Sequence, residues 1–317
     1  MARPSIFIVG APKCGTTALY HCLRQHPALY FPLAEHREAY WLFKEPGHFA
    51  GDLKIADWLR VIPEEDYLRL FEPAAEGRLC GEATATYLFS EEAPQRIRTF
   101  TGGEAKIIIM VRSPVLWMRS WHHDLLRYGY ENCGDFEKAI ERGERRDAGR
   151  ELPRRAAFAG CMNYRKLAHF SEYVHRWQET FGQERVFIGW QPDFEGNPQA
   201  FLRRLLDFLG VDPGPMPEAK RENDSSVLPA THAFDLWLGR VMGRLPGGEP
   251  ISRFLQAEVG GIYRGVVDRV LRPLSDRTIA EPLLSRLQEE FSGEETRLME
   301  MAGAMGQMAS KIAAVMM

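Results

Sequence analysis

One passage near the start of the chain limits its fold more than any other: a short apolar run that turns through two glycines into a helix. Residues 6–9, Ile-Phe-Ile-Val, are followed by Gly10-Ala-Pro-Lys-Cys-Gly15-Thr-Thr17 and then by a helical pattern over 17–25. The apolar run is too short for a helix and suits a buried strand. A strand that passes through such a bend into a helix aims backbone N–H groups, and about half a positive charge from the helix dipole, at one point. Gly10 and Gly15 allow a sharp bend and close backbone approach, while Thr16 and Thr17 add hydroxyl donors. The passage therefore reads as a phosphate cradle at the edge of an α/β sheet.

Two further runs, 107–111 and 186–190, repeat the Ile- and Val-rich pattern between Gly, Pro or charged residues, and a weaker strand is expected over 78–83. Helix-like stretches at 17–25, 117–128 and 164–181 alternate with them. The expected fold is α/β: a P-loop-like doubly wound parallel sheet flanked by helices. An amphipathic segment at 200–209 is closed by Pro213, Pro215 and Pro217, and beyond Ala230 the chain reads as mostly helical. Met301, Met305, Met308 and Ile312 form one helical stripe, an internal packing face. No repeat or low-complexity linker divides the 317 residues, so a single domain is expected, with a core at about 4–210 and a helical C-terminal region at about 230–317.

Charge and cysteine usage exclude several functions. With 40 Lys plus Arg against 43 Asp plus Glu, the net charge of −3 offers no global field for nucleic acid. Nothing approaches the roughly 20 apolar residues of a membrane helix, so no span and a cytoplasmic location are expected. Cys14, Cys22, Cys80, Cys133 and Cys161 are odd in number and form no Cys-x-x-Cys pair, which fits reduced thiols. His122, His123, His169 and His175 match no zinc spacing, and no metal is expected. His48, His122 and His123 read as structural, and Trp41, Tyr87, Trp117 and Trp121 as packing. The Arg- and Glu-dense stretch 141–155 reads as a solvated helix end and loop. Oligomeric state is not legible.

The cradle departs from that of nucleotide hydrolases, where the lysine directly follows the second glycine; here Thr16 stands there and Lys13 lies within the bend. A hydrolase also needs a strand-end Asp for magnesium, whereas 107–111 ends in Arg112. Arg112 would face the crevice at the carboxyl ends of the strands, with a donor fork suited to phosphate. Ser120 could add a donor if the segment turns it back toward that point. A kinase or hydrolase, or a non-catalytic nucleotide-binding protein, remains the alternative on these residues alone.

Taken together, PKCGTT at 12–17, KEPGHF at 44–49, GEATATYL at 81–88 and the pair Arg112 and Ser120 resemble the sulfotransferases that use 3′-phosphoadenosine 5′-phosphosulfate, most nearly the heparan-sulfate-sulfotransferase-like branch. The resemblance implies that Pro12, Lys13, Cys14, Gly15, Thr16 and Thr17 form the 5′-phosphosulfate loop and that Arg112 and Ser120 hold the 3′-phosphate. It implies Lys13 and Glu45 as catalytic residues, Glu45 being the base, with Glu38 in HREAYW as the competing match. It implies transfer to a hydroxyl or amine of a carbohydrate, lipid or small-molecule acceptor, without a metal.

Overall fold

The computed structural model describes residues 2–33, 43–53, 62–127, 130–153, 160–214 and 279–304. The chain divides into two compact units, one comprising Met1–Trp117, Arg165–Asn223 and Ser285–Met317, the other Met118–Tyr164 and Asp224–Leu284.

All described strands lie in the first unit. β1 (Pro4–Gly10), β2 (Leu29–Tyr30), β3 (Leu79–Glu82), β4 (Lys106–Val111) and β5 (Val186–Trp190) form one sheet in the order β2-β3-β1-β4-β5. Every neighbouring pair is parallel. Phe7, Ile8 and Val9 of β1 and Ile107 to Val111 of β4 are fully buried, as expected of central strands covered on both faces. Both long runs read as strands in the sequence are strands here, and the weaker one is β3. β2 has two residues and leaves no periodicity to read.

From β1 the chain moves outward through α1 (Thr16–Arg24) to β2 and, after α2 (Glu64–Arg69), back to β3. A 3-10 turn (Ala85–Phe89) and α3 (Ala93–Thr101) then lead across β1 to β4. The direction of winding reverses between β1 and β4, which is where open α/β sheets place their ligands. α4 (Pro114–Arg127) starts three residues earlier than the sequence pattern indicated, with Pro114 in its first turn, where its missing N–H costs nothing. Helices α5 (Phe136–Glu141) and α6 (Gly143–Asp147) follow, then α7 (Tyr164–Leu167), α8 (Phe170–Phe181), α9 (Gln191–Gly196), α10 (Pro198–Leu209) and α11 (Glu281–Met301).

The helix expected over 164–181 is two helices. His169, at ψ 65, leaves helical geometry, and the carboxylate of Glu294 in α11 accepts hydrogen bonds from the Ser171 N–H and hydroxyl, each at 2.7 Å. A residue far along the chain thus caps the new N-terminus of α8. α8 buries Phe170, Val174, Trp177 and Phe181 along one stripe. α10 buries Phe201, Leu202, Leu205, Leu206 and Leu209, is capped by the Asn197 side chain and stops at Gly210 in the left-handed region (φ 71). Met301 ends α11; Met305, Met308 and Ile312, with Pro215, Pro217 and residues 215–278, lie outside the described residues.

In the second unit Glu131 is fully enclosed. Arg146 pairs with it through both guanidinium nitrogens at 2.7 and 2.8 Å, the Tyr164 hydroxyl donates to it, and the N–H groups of Asn132 and Cys133 donate at 2.8 and 2.7 Å. Arg146 is therefore buried, which corrects the reading of 141–155 as wholly solvated. Its neighbours Arg142 and Arg145 keep that reading and pair with exposed Glu151. Trp121 donates its indole N–H to the Cys161 carbonyl and His122 bonds the Cys133 carbonyl, both structural roles.

Candidate active site

The loop after β1 is held open by contacts that leave little freedom. The Ala11 N–H donates to the Met110 carbonyl at 2.7 Å and so extends the β1–β4 pairing beyond Gly10. A Cβ on Gly10 would stand 2.5 Å from Leu88 Cβ and 3.0 Å from the Ala85 carbonyl, so glycine is required where the 3-10 turn crosses the strand end. The Pro12 carbonyl accepts the Trp117 indole N–H at 2.8 Å, and the Lys13 carbonyl accepts Arg112 Nη1 at 3.2 Å. With two loop carbonyls turned outward to these donors, Lys13 takes φ 65 and Gly15 φ 84. Gly15 is the N-cap of α1, so the first N–H groups of that helix, with no intrahelical partner, open where a phosphate cradle needs donors.

Within the loop the side chains divide. Thr17 and Lys13 are half-buried, and Thr16 is buried. Cys14 is fully enclosed, and burial pushes its thiol up to about 12 against the positive charges of Arg112 and Lys13. That thiol is a packing group, and the Cys14 N–H already donates to the Ala11 carbonyl at 3.2 Å, so its part in the loop is to shape the bend.

Arg112 follows β4 directly and braces the β1 loop, which brings two of the residues assigned from sequence together at the point where the sheet reverses direction. Beside it, the Ser113 hydroxyl donates to Glu295 of α11 at 3.0 Å; burial raises the Glu295 carboxyl and this hydrogen bond opposes the rise. Ser120 lies half-buried in α4, within the second unit.

At the end of β3, on the other side of β1, stands an acid–base cluster. Lys44 is completely buried, with Nζ 2.6 Å from Glu45 Oε1 and 3.3 Å from the Ala83 carbonyl. Glu45 keeps 10% of its side chain exposed. Behind them Glu82 accepts the Tyr67 hydroxyl at 2.8 Å and the Tyr87 hydroxyl at 3.2 Å on Oε1, and the Thr84 hydroxyl at 2.8 Å on Oε2. Burial pushes the Glu82 carboxyl up to about 7; the three hydroxyls oppose the rise and the negative charge of Glu45 adds to it. Tyr87 and Thr84 also accept the N–H groups of Phe49 and Gly47, each at 3.2 Å, so the segment carrying Glu45 hangs on this carboxylate through two hydroxyls.

Sequence reasoning found Lys13, Arg112 and Glu45 but not the support for Glu45. Glu82, Thr84 and Tyr87 lie in the GEATATYL string, where strict side-chain roles were not assigned, and Tyr67 carries no local signal. His48 is structural: it bonds the Ile62 carbonyl at 2.7 Å and stacks on Tyr67, and burial lowers its basicity. Tyr87, Trp117 and Trp121 are buried, as packing aromatics are. Glu38 and Trp41 lie outside the described residues. Among the described residues no group of His, Cys, Asp and Glu is placed to hold a metal ion, and no helix is long and apolar enough to cross a membrane.

Comparison with known proteins adds three findings. Residues 3–225 match the sulfotransferase domain family. Carbohydrate sulfotransferase 15 of Mus musculus is 26% identical over 274 residues, covering 72% of this chain and 47% of that protein. Bifunctional heparan sulfate N-deacetylase/N-sulfotransferase 2 of Homo sapiens is 26% identical over 215 residues, covering 66% of this chain and 22% of that protein. The chain thus spans about half the length of the first of these relatives and less of the second. Among solved structures, a sulfotransferase from Alicyclobacillus acidocaldarius aligns with a TM-score of 0.57 at 29% identity, covering 77% of this chain and 95% of that one.

Proposed function

We infer that this chain, which belongs to the sulfotransferase domain family, transfers a sulfuryl group from 3′-phosphoadenosine 5′-phosphosulfate to a hydroxyl or amine of a carbohydrate. One observation carries the reading: three adjacent strand ends, of β3, β1 and β4, present Glu45, the Lys13 loop and Arg112 side by side in strand order. The donor set suits such a nucleotide. Helix N-terminal N–H groups, threonine hydroxyls and Lys13 match its 5′ end, and an arginine fork matches a second phosphate.

In this reading Gly15, Thr16 and Thr17 would hold the 5′-phosphosulfate, with Pro12 and Cys14 shaping the loop, and Arg112 with Ser120 would hold the 3′-phosphate. The donor supplies the sulfuryl group, which leaves its bridging phosphate oxygen for the acceptor atom. Lys13 neutralises the charge that collects on the oxygen left behind. Lys44 holds Glu45 by Oε1, which orients the carboxylate and leaves Oε2 to take the acceptor's proton. No covalent enzyme intermediate is required; positioning and charge stabilisation do the work. The carbohydrate class of acceptor rests on the names of the relatives. A cytoplasmic location accords with five unpaired thiols, and we read residues 1–317 as one sulfotransferase domain.

The test is incubation with labelled donor and desulfated heparan sulfate, alongside phenol, lipid and amine acceptors, with mass analysis for an added sulfate. Glu45→Gln and Lys13→Ala should fold normally and lose about 10²–10⁴-fold in kcat. Near-normal turnover in Glu45→Gln with a dead Glu38→Gln moves the base to Glu38. No sulfate on any acceptor overturns the reading.

A further inference from the structure

Resting on Glu45 as the base of the proposed reaction, we propose that Glu82 is a positioning residue whose ionised carboxylate fixes the segment 44–50, so that protonation of Glu82 releases the base and switches the site down. The argument is one of hydrogen-bond direction. A hydroxyl has one proton to give and lone pairs to receive with. Thr84 and Tyr87 each spend their proton on Glu82, which leaves their oxygens to receive the Gly47 and Phe49 N–H groups. Tyr67 spends its proton on the same carboxylate from α2. Three donors converging on two oxygens is an arrangement for an anion. A charge-assisted bond also makes each hydroxyl oxygen a better acceptor for the loop amide behind it.

Protonated Glu82 brings a fourth proton to the same oxygens. One hydroxyl must then turn away or leave its proton unpaired in a buried site, and the charge that strengthened both links is gone. Lys44 is tied into the same assembly, since its carbonyl receives the Ala83 N–H and its Nζ touches both the Ala83 carbonyl and Glu45. Loosening at Gly47 and Phe49 therefore frees the residues on either side of the base.

The charged and titratable groups around Glu82 are Tyr67 from α2, Tyr87 from the 3-10 turn, and Lys44, Glu45 and His48 from the 43–50 segment, with Arg96 of α3 over the Phe49 ring at 5.9 Å; β1 pairs with it through Phe7. Of these, Glu82 is the group that burial has moved into the neutral range.

Amide hydrogen exchange on the full chain tests this without an acceptor. In the wild type, protection at Gly47 and Phe49, corrected for intrinsic rates, should fall about tenfold as pH drops through about 7, and in Glu82→Gln it should be low and flat with pH. Should Glu82→Gln not fold, Thr84→Val should deprotect Gly47 alone and Tyr87→Phe should deprotect Phe49 alone. His48→Gln should keep the pH step; a lost step would assign it to His48 and overturn the proposal. Turnover of labelled donor onto desulfated heparan sulfate should fall about tenfold in Tyr87→Phe with donor KM unchanged. Equal, pH-independent protection in the wild type and these variants would overturn the positioning role while leaving sulfuryl transfer intact. An inactive wild type that shows the exchange step would instead overturn the proposed reaction alone.

Discussion

Two glutamates are enclosed in this protein, and their partners make them opposites. Glu131, in the second unit, meets a guanidinium fork, a tyrosine hydroxyl and two backbone N–H groups. Burial works to raise its carboxyl, but Arg146, Tyr164 and the Cys133 N–H together hold it below the ordinary range. Glu82, in the first unit, meets three hydroxyls and no cation among its direct hydrogen-bond partners, and burial prevails. A neutral donor can satisfy a buried carboxylate without paying back its desolvation; a cation can. Glu131 is thereby fixed as an anion and serves as a structural tie. Glu82 is left able to change state, and it sits behind the candidate base.

The sharpest way to break this contrast is to remove the cation. Arg146→Ala leaves Glu131 buried and alone, and urea unfolding should show a loss of about 3–5 kcal/mol; a loss under about 1 kcal/mol would mean that the enclosed pair is not the tie described. Next in size is the pH dependence. Glu82 rises from 4.5 to about 7 on folding, so its contribution is greatest below pH 4.5 and is lost as pH climbs through 7, a change on the order of 3 kcal/mol. Glu131 falls on folding, so its contribution is present above pH 4.5 and is lost on acidification through its lower native value. Glu82→Gln should therefore flatten the stability curve between pH 4.5 and 8, and Glu131→Gln should flatten the acid limb instead; the same effect from both would erase the distinction. Smaller still, Tyr67→Phe should cost about 1 kcal/mol and shift the exchange step at Gly47 and Phe49 to higher pH, since Glu82 loses one of the bonds that favour its anion.

The contrast also explains what the sequence could and could not reveal. β1, β4 and β5 announce themselves because strands buried on both faces are continuous apolar runs, and the residue that follows such a run stands at the ligand-bearing edge; that is how Lys13 and Arg112 were legible. Glu131 and Arg146 were not. Arg146 lies between Arg142 and Arg145 on one side and Arg150 on the other, and nothing in a charge run tells which member is enclosed until the partner 15 residues away is in place. Glu82 reads as a polar residue at a strand end, and its donor Tyr67 comes from a helix with no motif. The split of the 164–181 helix has the same origin, because its cause, Glu294, is 123 residues from Ser171. Patterns with a short period are written locally, while pairings of buried polar groups are decided by the fold.

The central claim is that the crevice between β1 and β4 grips an adenosine nucleotide by two phosphates. Titration calorimetry with 3′-phosphoadenosine 5′-phosphate in a buffer free of divalent cations tests it most directly. The account predicts binding that weakens markedly for AMP and on Arg112→Ala; equal affinity for the two nucleotides, or binding that needs magnesium, would contradict it.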